Sequence, residues 1–130
     1  MSIHIDPSLP TVRALSASQR DRLKSRLEHD LHEAHVSQEQ LRGMIETATE
    51  SRRGVGTDES EDPEGSSLAF EQAQASSMLE QSQRHALEMS RALGKLDSGN
   101  YGTCENCAQH IAYARLDARP AAALCISCAS

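Results

Sequence analysis

The sequence predicts a mainly α protein: a long antiparallel coiled-coil αα-hairpin followed by a small C-terminal module built on four cysteines. Three observations predict it. Two Pro-free runs, residues 16–53 and 66–97, each carry an apolar seam at heptad-like spacing; a connector rich in glycine and acid, residues 54–65, separates them; and every cysteine of the chain lies in one of two Cys-x-x-Cys pairs near the end.

In the first run Ser16-Ala17-Ser18-Gln19 has the spacing of a capping box, which predicts where the helix begins. Leu27, Leu31, Ala34, Leu41, Ile45 and Ala48 then recur at intervals of three, four and seven; Leu23 extends the stripe backward and Gln38 interrupts it. The second run repeats the pattern with Ala75, Leu79, Ala86, Met89, Leu93 and Leu96, and Ser82 sits at its weak position. Gly99 suits the residue just past a helix, where a left-handed conformation is needed. Helices of similar length joined by a short connector pair antiparallel, as a rod of roughly 50 Å. Pairing within the chain predicts a monomer, and an intermolecular coiled coil is the alternative. Many seam positions are alanine or polar, so the hairpin is expected to be marginal by itself.

Residues 1–15 hold two prolines and no sustained period, which predicts a flexible arm, a frayed terminus in preference to one docked on the C-terminal module or on a partner. The connector places Asp58, Glu59, Glu61, Asp62 and Glu64 in seven residues with no base. Such a run is ordinarily a solvated loop; held at the end of a hairpin it is also an acidic tip able to carry carboxylates to a partner.

The pairs Cys104-x-x-Cys107 and Cys125-x-x-Cys128 are separated by seventeen residues, the spacing of a four-thiolate zinc site. One tight turn aims two sulfurs at one ion, and four protein ligands leave no open position, so the zinc is structural. Residues 98–130 are therefore expected to form a zinc finger whose binding energy is folding energy. Disulfides would need an oxidising compartment, and Met1-Ser2-Ile3-His4-Ile5-Asp6-Pro7 has neither the basic start nor the apolar run of a secretion signal. A cytoplasmic protein is the expectation.

Composition narrows the function further. One Phe, two Tyr and no Trp leave little for a globular interior, and no stretch has the apolar length to cross a membrane. A net charge of −6 and the scarcity of stacking aromatics argue against nucleic-acid binding and for a protein partner. His29, His32 and His35 fall outside the seam and read as solvated; Met44, Met78 and Met89 read as gap-filling packing, and Phe70 as packing near the hairpin end. His110 lies between the cysteine pairs but four thiolates already suffice. No nucleophile-base pair, phosphate loop or carboxylate pair in a pocket is legible, so no enzymatic activity is expected.

Around the cysteines, Ala92-Leu93-Gly94-Lys95-Leu96-Asp97-Ser98-Gly99-Asn100-Tyr101-Gly102-Thr103-Cys104, then Ile111, Ala114-Arg115-Leu116-Asp117-Ala118, Pro120-Ala121 and Cys125-x-x-Cys128, the sequence resembles the DksA/TraR zinc-finger family of bacterial transcription regulators. The resemblance implies a regulator that binds RNA polymerase, its coiled coil entering the secondary channel with the acidic tip, Asp58, Glu59, Glu61 and Asp62, towards the active centre. Arg115 and Arg119 are candidates to contact an acidic partner surface or to neutralise the thiolates. Two departures stand out. Asp58-x-x-Glu61 leads into Asp62-Pro63 where the family's tip reads Asp-x-x-Asp-x-Ala, and Ala108 stands where relatives have a turn glycine. The other function considered is a zinc-dependent adaptor between proteins, for which the coiled coil is only a spacer.

Overall fold

The computed structural model of the protein describes residues 12–54 and 63–129. Helix α1 spans Ala17–Gly54 and α2 spans Pro63–Ser98; two short helices follow, α3 (Tyr113–Ala118) and α4 (Ile126–Ala129). The chain divides into two compact units, one made of Met1–Leu31 with Glu88–Ser130 and the other of His32–Leu87. We call them the finger unit and the hairpin unit.

Helix α1 begins with a closed capping box. The Ser16 N–H donates to Gln19 Oε1 at 2.9 Å and the Gln19 N–H donates to Ser16 Oγ at 3.1 Å, satisfying two backbone donors that the first turn leaves without helical partners. Helix α2 ends at Gly99, whose φ of 82° is the left-handed conformation a glycine adopts without steric cost. The N–H of Asn100 returns to the Lys95 carbonyl at 2.8 Å, the six-to-one bond of a Schellman motif. The start of α2 differs from expectation. Pro63, read in the sequence as part of the helix-breaking connector, is its first residue, because a first-turn residue needs no N–H and proline's fixed φ is already helical.

In the hairpin unit the seam is where the apolar spacing puts it. Leu41, Ala48, Ala75 and Ala86 are buried, and Ile45, Leu79 and the other seam positions are half-buried. The two polar interruptions meet each other. Gln38, only 5% exposed, donates through Nε2 to Ser82 Oγ at 3.3 Å, so the residues that weaken each stripe form one paired layer across it. Any slip of register would strand both in an apolar layer. A second polar tie lies further along: Gln72 Nε2 donates to Thr49 Oγ1 at 2.7 Å, and Gln72 Oε1 accepts from Arg52 Nη1 at 2.7 Å. Partner numbers rise on α1 as they fall on α2, which makes the pairing antiparallel.

Three packing expectations are corrected. Met44 is 57% exposed, Met78 50% and Phe70 71%, so none of them fills a gap in the core; Met89, 2% exposed, does. Met44 and Met78 each precede a seam residue, Ile45 and Leu79, and a turn of about 100° per residue puts them on the flank. Phe70 lies two residues past Leu68, about 200° round the helix, and faces away.

In the finger unit, Leu23 and Leu27 of α1 and Met89 and Ala92 of α2 are buried, as are Tyr101, Ile111 and Leu116 of the finger. Of the N-terminal arm, residues 12–15 are described. Leu15 Cδ1 lies 3.1 Å from where a Cβ on Gly102 would sit, so the end of the arm packs on the finger at a residue that must be small, and Gly102 also has a φ of 88°. Among the described residues no helix is long and apolar enough to cross a membrane.

Candidate metal centre

The finger is built from backbone turns. The Cys104 N–H donates to the Gln109 carbonyl at 2.8 Å and the Ile111 N–H to the Gly102 carbonyl at 2.7 Å, with a single antiparallel bridge between Thr103 and His110. This narrow stem carries the first cysteine pair on a knuckle closed by the Ala108 N–H on the Cys104 carbonyl, 2.9 Å. Ala108 has a φ of 61°, the left-handed conformation that its position predicts, at a cost of about 1–2 kcal/mol for a residue with a Cβ. The second pair opens α4, where the N–H groups of Cys128 and Ala129 both return to the Cys125 carbonyl. The Glu105 N–H on the Ala123 carbonyl, 2.9 Å, brings the two knuckles together.

The result gathers Cys104, Cys107, Cys125 and Cys128, whose four sulfurs all lie within 4.8 Å of one another. Cys107 Sγ and Cys125 Sγ are 3.8 Å apart. That is too far for a disulfide of about 2.05 Å. It equals the edge of a tetrahedron, about 3.8 Å, drawn round a zinc ion with Zn–S bonds of about 2.3 Å. Four soft donors in a closed set fit zinc. His110 is exposed and is not part of the cluster.

The electrostatics favour a cation. Burial opposes a thiolate at Cys104, yet the backbone N–H groups of Cys125, Cys107 and Asn106 outweigh it and lower the thiol's pKa to about 6. At Cys107 the Gln109 N–H favours the thiolate, but desolvation and the three neighbouring sulfurs push it up to about 12. Cys128 accepts a bond from Asn106 Nδ2 at 3.3 Å, which lowers its pKa, but Cys125 and burial raise it further. Four sulfurs sharing so small a space cannot all be negative unless a dication lies among them.

Side chains outside the cluster fix the loops that carry it. Tyr101 donates its hydroxyl to the Pro120 carbonyl at 2.8 Å in a buried setting, and desolvation raises its pKa to about 12. Arg115 is half-buried and donates through Nε to the Leu124 carbonyl at 2.7 Å, which holds the residue before Cys125. Arg119, in contrast, has an exposed side chain, while its backbone continues the turn by accepting the Ala122 N–H at 3.0 Å. Two ion pairs that the sequence does not advertise join the finger to the long helices: Lys95 with Glu105, and Arg26 with Asp117, whose carboxylate is 3.6 Å from Arg26 Nη1. The hydrogen bond and charge of Lys95 hold the Glu105 carboxyl below its ordinary pKa, so this tie is complete above that value and is lost as pH falls through the lowered one. Partners ten and ninety-one residues apart in sequence leave no periodic signal. Asp58, Glu59, Glu61 and Asp62 lie outside the described residues.

Comparison with known proteins agrees with this geometry. The prokaryotic dksA/traR C4-type zinc finger family matches residues 99–130. The RNA polymerase-binding transcription factor DksA of Haemophilus influenzae is 50% identical over 36 residues, a stretch that is 28% of this chain and 25% of that protein. The chain thus aligns with only a quarter of the length of this curated relative. The structure of transcription factor DksA2 from Pseudomonas aeruginosa superposes with a TM-score of 0.73 over 88% of this chain and 82% of that one, at 23% identity, which speaks for the fold. Over residues 99–130 the chain is thus similar to the prokaryotic dksA/traR C4-type zinc fingers, with the four cysteines of the cluster inside the matched stretch.

Proposed function

We propose that this protein is a transcription regulator that binds RNA polymerase and has no catalytic activity of its own. Zinc held by Cys104, Cys107, Cys125 and Cys128 fixes the finger; the coiled coil enters the polymerase's secondary channel, with Asp58, Glu59, Glu61 and Asp62 as the acidic tip towards its active centre. Arg119, exposed on the finger, is the partner contact of the two arginines, because Arg115 is already engaged with the Leu124 carbonyl.

One observation carries this reading: a chain whose residues 99–130 match the dksA/traR zinc finger is half identical over 36 residues to an RNA polymerase-binding factor and shares its fold with a DksA2 structure over 88% of its length. Charge supports it, since a net −6 suits a protein partner better than direct contact with DNA. The test is co-purification with RNA polymerase, run beside transcription from a responsive promoter. Neutralising the tip together, Asp58→Asn, Glu59→Gln, Glu61→Gln and Asp62→Asn, is expected to keep polymerase binding and abolish the effect on transcription. Failure of the unaltered protein to bind polymerase would refute the reading, and an effect that survives neutralisation would refute the role of the tip.

A further inference from the structure

Residues 32–87 contain eleven acidic residues against four arginines, whereas the rest of the chain has eight acids against nine Lys and Arg. The negative balance of the protein therefore resides in the hairpin unit. Within it, Gln40, Gly43, Met44 and Thr47 share one face of α1 at about 100° per residue. With Leu68 and Glu71 of α2 they line an open groove of about 490 Å³. Val36, 41% exposed, and Glu33 continue the same face one and two turns back. Among the described residues no Lys or Arg lines the groove, and Arg52, further along α1, donates to Gln72 of α2.

Gly43 separates this groove from an ordinary scatter of exposed side chains. Inside a helix only proline is a poorer choice than glycine. Nothing among the described residues requires it: its backbone is helical, and a Cβ there would meet nothing within 4 Å. What bare backbone beside Met44 provides is room for another backbone to come close, with a flexible thioether beside it that adapts to the shape of the visitor.

We propose that this groove docks a basic amphipathic helix of a partner protein. Its apolar side lies on Met44 and Leu68, its backbone passes close to Gly43, and its Lys or Arg side chains face Glu71 and Glu33. Charge selects this occupant over the others. A second copy of this chain would bring an equally acidic hairpin unit, and nucleic acid or an anionic membrane would be repelled in the same way. The proposal does not depend on the polymerase reading, since it specifies the chemistry of the occupant whichever protein carries it.

The test uses the full-length, zinc-loaded, ¹⁵N-labelled protein. It is titrated with a synthetic amphipathic helix that bears leucines on one side and lysines on the other, and with the same peptide carrying glutamates for lysines. Amide shifts are expected at 33–47 and 68–71 with the lysine peptide alone, weakening as salt is raised. Gly43→Gln fills the groove with a better helix former, so its expected loss of about tenfold in affinity cannot come from unfolding. Arg42→Gln, about 200° round α1 from Gln40, is expected to bind within about twofold of the unaltered protein. Shifts that are absent, spread over both flanks or equal for the two peptides would overturn the proposal, as would unchanged binding by Gly43→Gln. Peptide-free dimerisation that Gly43→Gln abolishes would give the groove to a second copy and overturn it as well.

Discussion

In the finger, Tyr101, Cys104, Ile111 and Leu116 are buried, and nearly every turn is tied by a backbone bond or by a side chain capping a carbonyl. Among the described residues of the hairpin unit the buried apolar ones are Leu41 and three alanines, Ala48, Ala75 and Ala86, and the seam contains a buried glutamine. Neither region has the core of an ordinary domain, and they compensate differently. The finger concentrates its stability in one closed donor set that is complete or absent; the hairpin distributes it over two long helices whose backbone bonds are local and whose contacts are individually small. Loss of a single ligand should therefore be catastrophic in one region, while the loss of any one seam contact should be graded in the other.

The sharpest way to break that contrast is to remove the metal. Chelation, or Cys104→Ser, is expected to abolish the finger fold, because zinc binding in small modules is worth on the order of 10–16 kcal/mol at neutral pH. Amide dispersion in 99–129 should collapse while helical signals from 32–87 persist. Unfolding of both at the same chelator concentration would show that the units are not separable.

A smaller effect is expected from the polar layer. Gln38→Ala leaves the Ser82 hydroxyl without its partner in the seam and should cost about 1–3 kcal/mol in urea denaturation. The double change Gln38→Leu with Ser82→Ala replaces the pair by apolar groups and should be nearly neutral or stabilising, at the expense of a defined register. Cross-linking between engineered cysteines at matched and slipped positions would read that register; an unaltered pattern in the double variant would mean that the layer does not set it.

Next comes Tyr101. Tyr101→Phe removes the hydroxyl bond to Pro120 and should destabilise the finger by about 1 kcal/mol. Its ionisation also has a sign. A pKa raised to about 12 means that the folded state holds the proton more tightly, so this contribution is complete below pH 10 and is lost as pH rises towards 12. Denaturation curves between those pH values should fall more steeply for the unaltered protein than for Tyr101→Phe; parallel curves would exclude Tyr101 as the source.

The smallest effects are gains. Gly43→Ala should stabilise the hairpin unit by about 1 kcal/mol, since its Cβ meets open space and the helix interior disfavours glycine. Ala108→Gly relieves a left-handed alanine in the finger but frees the unfolded chain, and should gain about 0.5–1 kcal/mol net. A thermal shift downward in either variant would contradict the local geometry described above.

How much of this was legible beforehand follows from the range of each signal. The helices and their seam were legible because burial on a helix repeats within a few residues, so Leu27, Leu41, Ala75 and Met89 announce their face. The cysteine pairs were legible because ligand chemistry demands a residue type at a fixed spacing. Phe70, Met44 and Met78 were misread because residue type alone does not say on which side of a helix a side chain falls. That Pro63 begins α2 was missed because the same residue ends one element and opens another.

The sequence by itself determined the helices, their caps at Ser16 and Gly99, and the four-sulfur donor set, since each depends on neighbours a few residues apart or on an unmistakable chemical type. Only the tertiary structure decided that Gln38 meets Ser82, that Arg26 reaches Asp117, that Arg115 turns inward to Leu124, and that Gly43 opens a groove. Those are contacts and spaces between distant parts of the chain. They follow from how two helices and a finger pack in three dimensions, and no period in the sequence encodes them.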